Sequence, residues 1–246
     1  MRSEDIKYVI IQAGGKGIRM GRYAENKPKC LVPVKGIPMI MNTIEKYKDK
    51  EIIIIADYKA DVLEAYLTNF CKHNFNVCQT TEQGTAGGLA KVMDLIPDDE
   101  PFILTWADLF FEETPEFEFD KDLLVGLSDT FKCRWKLENN KFVNEASTEI
   151  GVAGFFAFKN KERFNKLSIS KSLVRGFLSE NYKDNEIESF TLSNCFEVGE
   201  VDKYESILVN ELNHRFFNEV IIDGDKVTKR CIDPRYEDVH SKEKLW

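Results

Sequence analysis

A glycine-rich turn followed by basic side chains is the part of the sequence best suited to chemistry. An apolar run at residues 8–11 leads into the turn at 14–17, which reads Gly-Gly-Lys-Gly. Because glycine has no side chain, such a turn lets a polyphosphate approach the backbone N–H groups. Arg19 and Lys29 follow the turn and can neutralise phosphate charge. The segment therefore predicts a phosphate-binding loop.

Spacing argues against two common phosphate-binding loops. The dinucleotide pattern G-x-G-x-x-G, started at Gly15, requires glycine where the chain has Met20. It also requires an acidic residue about twenty positions later, where the chain has Lys35 and Gly36. The P-loop pattern G-x-x-x-x-G-K-[ST] does not fit either, since no glycine of this segment has Gly-Lys-Ser or Gly-Lys-Thr at that offset.

The segment instead resembles the nucleotidyltransferases that join a nucleoside triphosphate to a phosphorylated small molecule. The resemblance rests on G-G-x-G-x-R-M at residues 14–20 and K-P-K-x-L-V-P-V-x-G at 27–36. It implies that an acceptor phosphate attacks the α-phosphorus and releases pyrophosphate, with Arg19 facing the triphosphate and Lys29 bridging nucleotide and acceptor. Since that phosphate is already an anion near neutral pH, catalysis requires positioning and charge neutralisation rather than a general base.

The same resemblance implies a magnesium site and a nucleotide site. Asp108 follows the strand-like run 102–106, at the edge where such sheets bind ligands, and matches a magnesium ligand of the family. Glu197 matches the second ligand, which is an aspartate in the family; the longer glutamate can still bind Mg²⁺. The residues expected at the nucleotide are Gln12, Ala13, Gly14, Gly15, Gly17, Gln83 and Gly88. Gln83 offers both a donor and an acceptor to a pyrimidine edge.

The sequence says less about which nucleotide is the donor and which phosphorylated molecule is the acceptor. Residues 26–32 resemble the branch that makes cytidine-diphosphate derivatives, which favours CTP with a phosphocholine- or phosphoglutamine-like acceptor, for a capsule or other surface polymer. A sugar 1-phosphate acceptor is the alternative. Glu145 and Gly154 are the weaker, acceptor-side candidates. A third hypothesis is a catalytically silent nucleotide-binding module, because Ala107 and Glu197 depart from the family pattern.

Composition narrows the class of partner and the compartment. The net charge is −8, from 34 basic and 42 acidic residues, and no basic run stands out, so nucleic acid is not expected as a partner. The longest apolar runs have the length of a strand, too short to span a membrane. Six cysteines without C-x-x-C spacing, and no signal peptide, favour the cytoplasm. Three dispersed histidines do not suggest a zinc site, and an oligomer is compatible with the sequence.

Strand-like runs alternate with helical patterns through the first half of the chain. This order predicts a Rossmann-like α/β fold, with a mostly parallel mixed sheet and helices on both faces. Strands are predicted at 8–12, 52–56, 76–80, 102–106, 123–128 and 149–158, and a hairpin between 132–137 and 141–143. Helices are predicted near 38–47, 60–70, after 86 to about 96, 170–181 and 201–214.

The last part of the chain differs from the rest. Residues 1–214 are predicted to form the nucleotidyltransferase domain, and 215–246 a hairpin and tail. Residues 218–222 and 226–229 flank Asp223-Gly224, a dipeptide typical of tight β-turns. This hairpin either caps the domain or opens a kinase-like domain, as occurs in related capsule-type proteins.

Overall fold

A seven-stranded sheet lies at the centre of the computed structural model, which describes residues 1–80, 84–169, 172–212, 214–215, 218–223 and 226–231. Its strands are rich in isoleucine, valine and phenylalanine, which suit a pleated sheet buried on both faces. The strands are Tyr8–Gln12 (β1), Glu51–Ala56 (β2), Asn76–Gln79 (β3), Phe102–Trp106 (β4), Leu123–Ser128 (β5), Gly151–Phe158 (β6) and Ile187–Thr191 (β7).

The sheet is mostly parallel, with one reversed strand. The spatial order is β3-β2-β1-β4-β6-β5-β7. Strands β1 to β4 pair in parallel, β5 pairs in parallel with β7, and β6 runs antiparallel to both of its neighbours. The carboxyl ends of β1 to β4 therefore meet at one edge, where open α/β sheets bind ligands.

Helices cover both faces of this sheet, as predicted. Among the described residues the four longest α-helices are Met39–Lys46 (α1), Ala60–Phe70 (α2), Gly84–Val92 (α3) and Val201–Leu212 (α4). Helices α1 and α2 bury Ile44 and Leu63 in one apolar cluster, and α3 buries Leu89 in the cluster on the other face. Each fully buried leucine or isoleucine contributes about 1.5–3 kcal/mol to folding. The predicted fold class is confirmed.

Shorter elements complete the fold. The helical turns are Ser3–Asp5, Ile18–Tyr23, Lys29–Leu31, Met93–Leu95, Glu162–Ile169, Ser179–Asn181 and Asp184–Glu186, and a π-helix spans Leu173–Leu178. The short strands are Pro33–Val34, Ile37–Pro38, Leu109–Phe111, Lys136–Glu138, Lys141–Val143, Cys195–Glu197 and His214–Arg215.

Two predicted helices differ from the structure. The helix predicted at 201–214 ends at Leu212, because His214 belongs to a short strand that pairs with the next one. In the segment predicted as a helix at 170–181, residues 170–171 lie outside the described residues. Its remainder is a π-helix that continues into the turn Ser179–Asn181.

The predicted hairpin after β5 forms with a tighter turn than expected. Lys136–Glu138 pairs with Lys141–Val143, so only Asn139 and Asn140 form the loop. Both have positive φ angles, 48° and 61°, as a two-residue hairpin turn requires and as asparagine tolerates. The start of the predicted strand is wrong, because Cys133 pairs instead with Ser147 through two backbone hydrogen bonds.

A small antiparallel sheet follows α4. The predicted hairpin is present, with strands Asn218–Asp223 and Lys226–Cys231, and His214–Arg215 adds a third strand. Residues 232–246 lie outside the described residues, so the division of the chain at 214 stays a prediction. In the part of the chain that the structure describes, no helix has both the length and the apolar character needed to cross a bilayer.

Candidate active site

A cleft of about 970 Å³ opens at the carboxyl edge of strands β1 to β4. Residues just after those strands line it, together with the glycine-rich turn. The lining residues are Gln12, Ala13, Gly14, Gly15, Lys16, Gly17, Ile18, Arg19, Lys29, Cys30, Ile55, Asp57, Thr80, Gly88, Trp106, Ala107, Asp108 and Gly199. The structure thus brings together most of the residues predicted from the sequence.

The backbone of the glycine turn requires glycine at position 17. Gly17 has a φ of +64°, which disfavours residues with a Cβ. A Cβ atom added there would also lie 2.9 Å from the Cβ of Lys29 and 3.0 Å from that of Ala24. The turn therefore packs directly on the helical turn that carries Lys29, and this contact sets the position of the lysine.

Lys29 and Asp108 form an ion pair inside the cleft. Lys29 Nζ lies 2.6 Å from Asp108 Oδ2, and the two side chains are only 13% and 21% exposed. The other oxygen of Asp108, Oδ1, is buried and has no hydrogen-bond partner among the described residues. A buried acceptor without a partner is costly, so Oδ1 is suited to a ligand that arrives with the substrate.

Burial keeps the thiol next to Lys29 protonated. Cys30 is 2% exposed, and burial raises its pKa to about 12. It therefore contributes no thiolate at neutral pH. The chemistry of this part of the cleft rests on the ammonium and the carboxylate.

Glu197 lies beside Asp108 on a paired strand. Cys195–Glu197 pairs antiparallel with Leu109–Phe111, and Val198 N–H donates to Asp108 O at 2.9 Å. Glu197 Oε2 accepts from Lys203 Nζ at 2.6 Å. A Cβ atom added at Gly199, which lines the cleft, would lie 1.7 Å from Glu197 Oε1, so this carboxylate lies against Gly199, although Glu197 itself is not part of the lining.

This donor set fits a magnesium ion. The described residues contain no cluster of three or more His, Cys, Asp or Glu side chains that could hold a metal. Mg²⁺ commonly takes only one or two carboxylates and completes its shell with water and substrate phosphates. The unpartnered oxygen of Asp108 meets that requirement, and Glu197 would have to exchange its lysine for the metal.

Arg19 pairs with Glu200, the residue just before helix α4. Its Nη1 donates to Glu200 Oε1, and its side chain is 65% exposed. Arg22 and Tyr23 make a second link, since both donate to Glu205 Oε1, at 3.1 and 3.0 Å. The segment after the glycine turn is thereby attached to α4 through Glu205. Arg19, the residue predicted to face the triphosphate, is itself paired with the carboxylate of Glu200.

The other predicted residues fall into three groups. Gln12 and Gly88 line the cleft, on the side of β1 and α3, whereas Gln83 lies outside the described residues. Glu145 is exposed, pairs with Lys136 at 2.9 Å and is not part of the lining. Gly154 is not part of the lining either, because it lies beneath the ring of Trp106. Neither Glu145 nor Gly154 lines the cleft, and their expected place at the acceptor stays a prediction.

Several residues of the site were missed by the sequence analysis. Asp57 and Thr80 directly follow β2 and β3, so their position at the ligand-binding edge could have indicated them. Trp106 is the last residue of β4, and in the sequence it could not be distinguished from the other apolar residues of that strand. No sequence pattern indicates Glu200 or Lys203. Glu200 pairs with Arg19, which is remote in sequence, and Lys203 pairs with Glu197 on another element.

The seven-stranded, mostly parallel sheet with its helices is the α/β nucleotidyltransferase fold. Residues 9–115 match the family model of the MobA-like NTP transferase domain. This match confirms the predicted resemblance to nucleotidyltransferases.

Two proteins with similar sequences show how much of the chain is shared. The bifunctional protein GlmU of Methanocaldococcus jannaschii is 32% identical over 111 residues, 44% of this chain and 26% of that protein. The glucose-1-phosphate cytidylyltransferase of Salmonella typhimurium is 27% identical over 153 residues, 50% of this chain and 60% of that protein. The chain thus spans from 26% to 60% of the length of these curated relatives.

A solved structure supports the fold over most of the chain. The CTP:phosphocholine cytidylyltransferase LicC of Streptococcus pneumoniae superposes with a TM-score of 0.69 at 19% identity, covering 84% of this chain and 100% of that one. At this identity the likeness shows the fold alone.

Proposed function

We propose that the chain is a nucleotidyltransferase that transfers a nucleoside monophosphate, with CMP favoured, from a nucleoside triphosphate to a phosphorylated small molecule. The observation that carries this proposal is the Lys29–Asp108 pair, which lies in the cleft directly against the glycine turn. It combines a phosphate-accessible backbone, a fixed cation and a free carboxylate oxygen in one place.

The reaction requires little more than positioning and charge. An oxygen of the acceptor phosphate attacks the α-phosphorus, and the bond from that phosphorus to the bridging oxygen breaks. Pyrophosphate leaves with the electron pair. Lys29 neutralises charge where nucleotide and acceptor meet, and Arg19 binds the outer phosphates after leaving Glu200.

Asp108, with Glu197, would hold a magnesium ion. Such an ion neutralises charge on the phosphates and on the leaving pyrophosphate. The buried, unpartnered Oδ1 of Asp108 supports this assignment. Each acid is paired with a lysine, Asp108 with Lys29 and Glu197 with Lys203.

CTP is the favoured donor, and two similar proteins have names that agree with it. One is a glucose-1-phosphate cytidylyltransferase, and the other is a CTP:phosphocholine cytidylyltransferase. A phosphocholine- or phosphoglutamine-like acceptor is our first choice, and a sugar 1-phosphate is the alternative. We place the reaction in the cytoplasm, where CTP is made, and its product in the synthesis of a capsule or other surface polysaccharide.

Pyrophosphate release tests the proposal. CTP, UTP, GTP, ATP and dTTP are each combined with phosphocholine, phosphoglutamine or glucose 1-phosphate in the presence of Mg²⁺. We expect turnover with CTP and one of these acceptors. Lys29→Ala should lower it by about a hundredfold or more, whereas Lys27→Ala, in the same segment but outside the lining, should retain it.

A catalytically silent nucleotide-binding module is the second candidate. The ion pair between Glu197 and Lys203 favours it, because it occupies a carboxylate that the metal needs. Binding of a nucleotide without pyrophosphate release, for every donor and acceptor pair, would support this candidate and contradict transfer.

A further inference from the structure

The indole of Trp106 is the one large aromatic ring in the lining of the cleft among the described residues. Trp106 is the last residue of β4, two positions before Asp108, and pairs with Gln12 of β1. Its Nε1 atom is buried and has no hydrogen-bond partner among the described residues. An unpaired buried N–H group is costly unless a ligand or water accepts from it.

Gly154 makes room for the indole ring of Trp106. Gly154 lies in a bulge of β6, where the register with β5 shifts between Val152 and Phe155, and has a φ of +92°. A Cβ atom added at Gly154 would lie 2.1 Å from Cε3 and 2.4 Å from Cδ2 of Trp106. The six-membered part of the indole therefore rests on the glycine, and Phe156 contacts the ring edge to face. Glycine at 154 thus fixes the ring at the cleft.

The topology assigns Trp106 to the acceptor side. Strand β4 lies between β1, which leads into the glycine turn, and β6. The nucleotide is proposed to lie over β1 and α3, where Gln12 and Gly88 line the cleft. The ring of Trp106 contacts Gly154 of β6, the neighbour of β4 on the side away from β1.

We propose that Trp106 is a specificity-determining residue for the acceptor, and that its indole N–H donates a hydrogen bond to an oxygen of that molecule. This inference rests on the proposed function, since it names a contact to the second substrate of the same site. Because the ring lines the cleft, it would also restrict the size of an acceptor bound against it.

A kinetic comparison tests this contact. Trp106→Phe keeps an aromatic ring on Gly154 but removes the N–H donor. We expect KM for the acceptor to rise about tenfold, with KM for CTP changed less than twofold. Trp135→Phe is the matched control, because Trp135 is buried in the same apolar cluster but does not line the cleft. An unchanged acceptor KM, or a rise in the KM for CTP instead, would overturn the proposal.

A fluorescence measurement leaves Trp106 in place and does not require turnover. The chain has three tryptophans, so Trp135→Phe combined with Trp246→Phe makes Trp106 the sole emitter. Phosphocholine and glucose 1-phosphate are titrated with CTP replaced by a non-hydrolysable analogue. A saturable change in emission with one of them supports the contact, even where no pyrophosphate is released and the proposed transfer fails. If the wild-type protein turns over one of the two acceptors, unchanged emission with that acceptor overturns the proposal. If it turns over neither, unchanged emission with both overturns it.

Discussion

Lys29 Nζ lies 2.6 Å from Asp108 Oδ2, which joins the basic segment after the glycine turn to the acid at the end of β4. The two residues are 79 positions apart, and both side chains are largely shielded from solvent. The carboxylate therefore holds the ammonium in a fixed position inside the cleft. This pre-organisation is what electrostatic catalysis of phosphoryl transfer requires.

Replacing Lys29 by alanine should reduce kcat/KM for transfer by about a hundredfold or more, because a pre-organised cation is lost from the reacting phosphates. Steady-state pyrophosphate release measures the effect. Lys27→Ala is the control, and its kcat/KM should stay within about twofold of wild type. Equal activity of the Lys29 variant and the control would show that Lys29 has no part in the reaction.

Replacing Glu200 by glutamine should tighten nucleotide binding by up to about fivefold. The carboxylate competes with the triphosphate for Arg19, and an exposed ion pair contributes at most about 1 kcal/mol. Isothermal titration calorimetry with CTP gives the dissociation constant. Glu205→Gln, which removes the neighbouring link to Arg22 and Tyr23 but leaves Arg19 paired, is the control. Weaker binding by the Glu200 variant would mean that Glu200 positions Arg19 rather than competing for it.

Thiol labelling should distinguish buried from accessible cysteines. Cys30, Cys133 and Cys195 are buried, and burial raises the pKa of Cys30 to about 12 and that of Cys133 to about 11. Since the thiolate is the reactive form, these thiols should not react at pH 8 in the folded protein. A thiol-specific reagent should therefore label quickly no more than the three partly exposed cysteines, and all six in guanidinium chloride. Fast labelling of more than three in the native protein would contradict the burial.

Acid should destabilise the protein through Glu186. Arg163 donates to both carboxylate oxygens, at 2.8 and 2.9 Å, and these hydrogen bonds lower the pKa of Glu186 from 4.5 to about 2. The stabilisation is present above pH 4.5 and is lost as the pH falls toward 2, because the unfolded chain takes up the proton more readily. Glu186→Gln should lower the melting temperature at pH 7 and have little effect near pH 2. If the variant and the wild type have the same melting temperature at pH 7, the pair of Arg163 and Glu186 does not stabilise the fold.

Local patterns predicted the sheet well. Strands β1, β4 and β5 and helix α2 have the bounds expected from apolar periodicity, because each buries a regular set of side chains. The family resemblance assigned the glycine turn, Lys29 and Asp108 to one site, and all three line the cleft. These features depend on residues that are neighbours in sequence or on the general rule for parallel sheets.

Long-range pairs of the site could not be read from the sequence. The contact of Trp106 with Gly154 joins two strands through a bulge that leaves no local pattern. Glu200 and Lys203 take their roles from the geometry of α4 against the cleft. Glu145, which follows the hairpin at Lys141–Val143, is exposed, pairs with Lys136 and is not part of the lining, so its acceptor role stays a prediction.

The most direct test of the account is a crystal structure of the protein with CTP and Mg²⁺. We expect the triphosphate along residues 14–17 with Lys29 at its α-phosphate, and the metal bound to Oδ1 of Asp108. A nucleotide bound outside this cleft, or an Asp108 carboxylate turned away from the metal, would contradict the central claim.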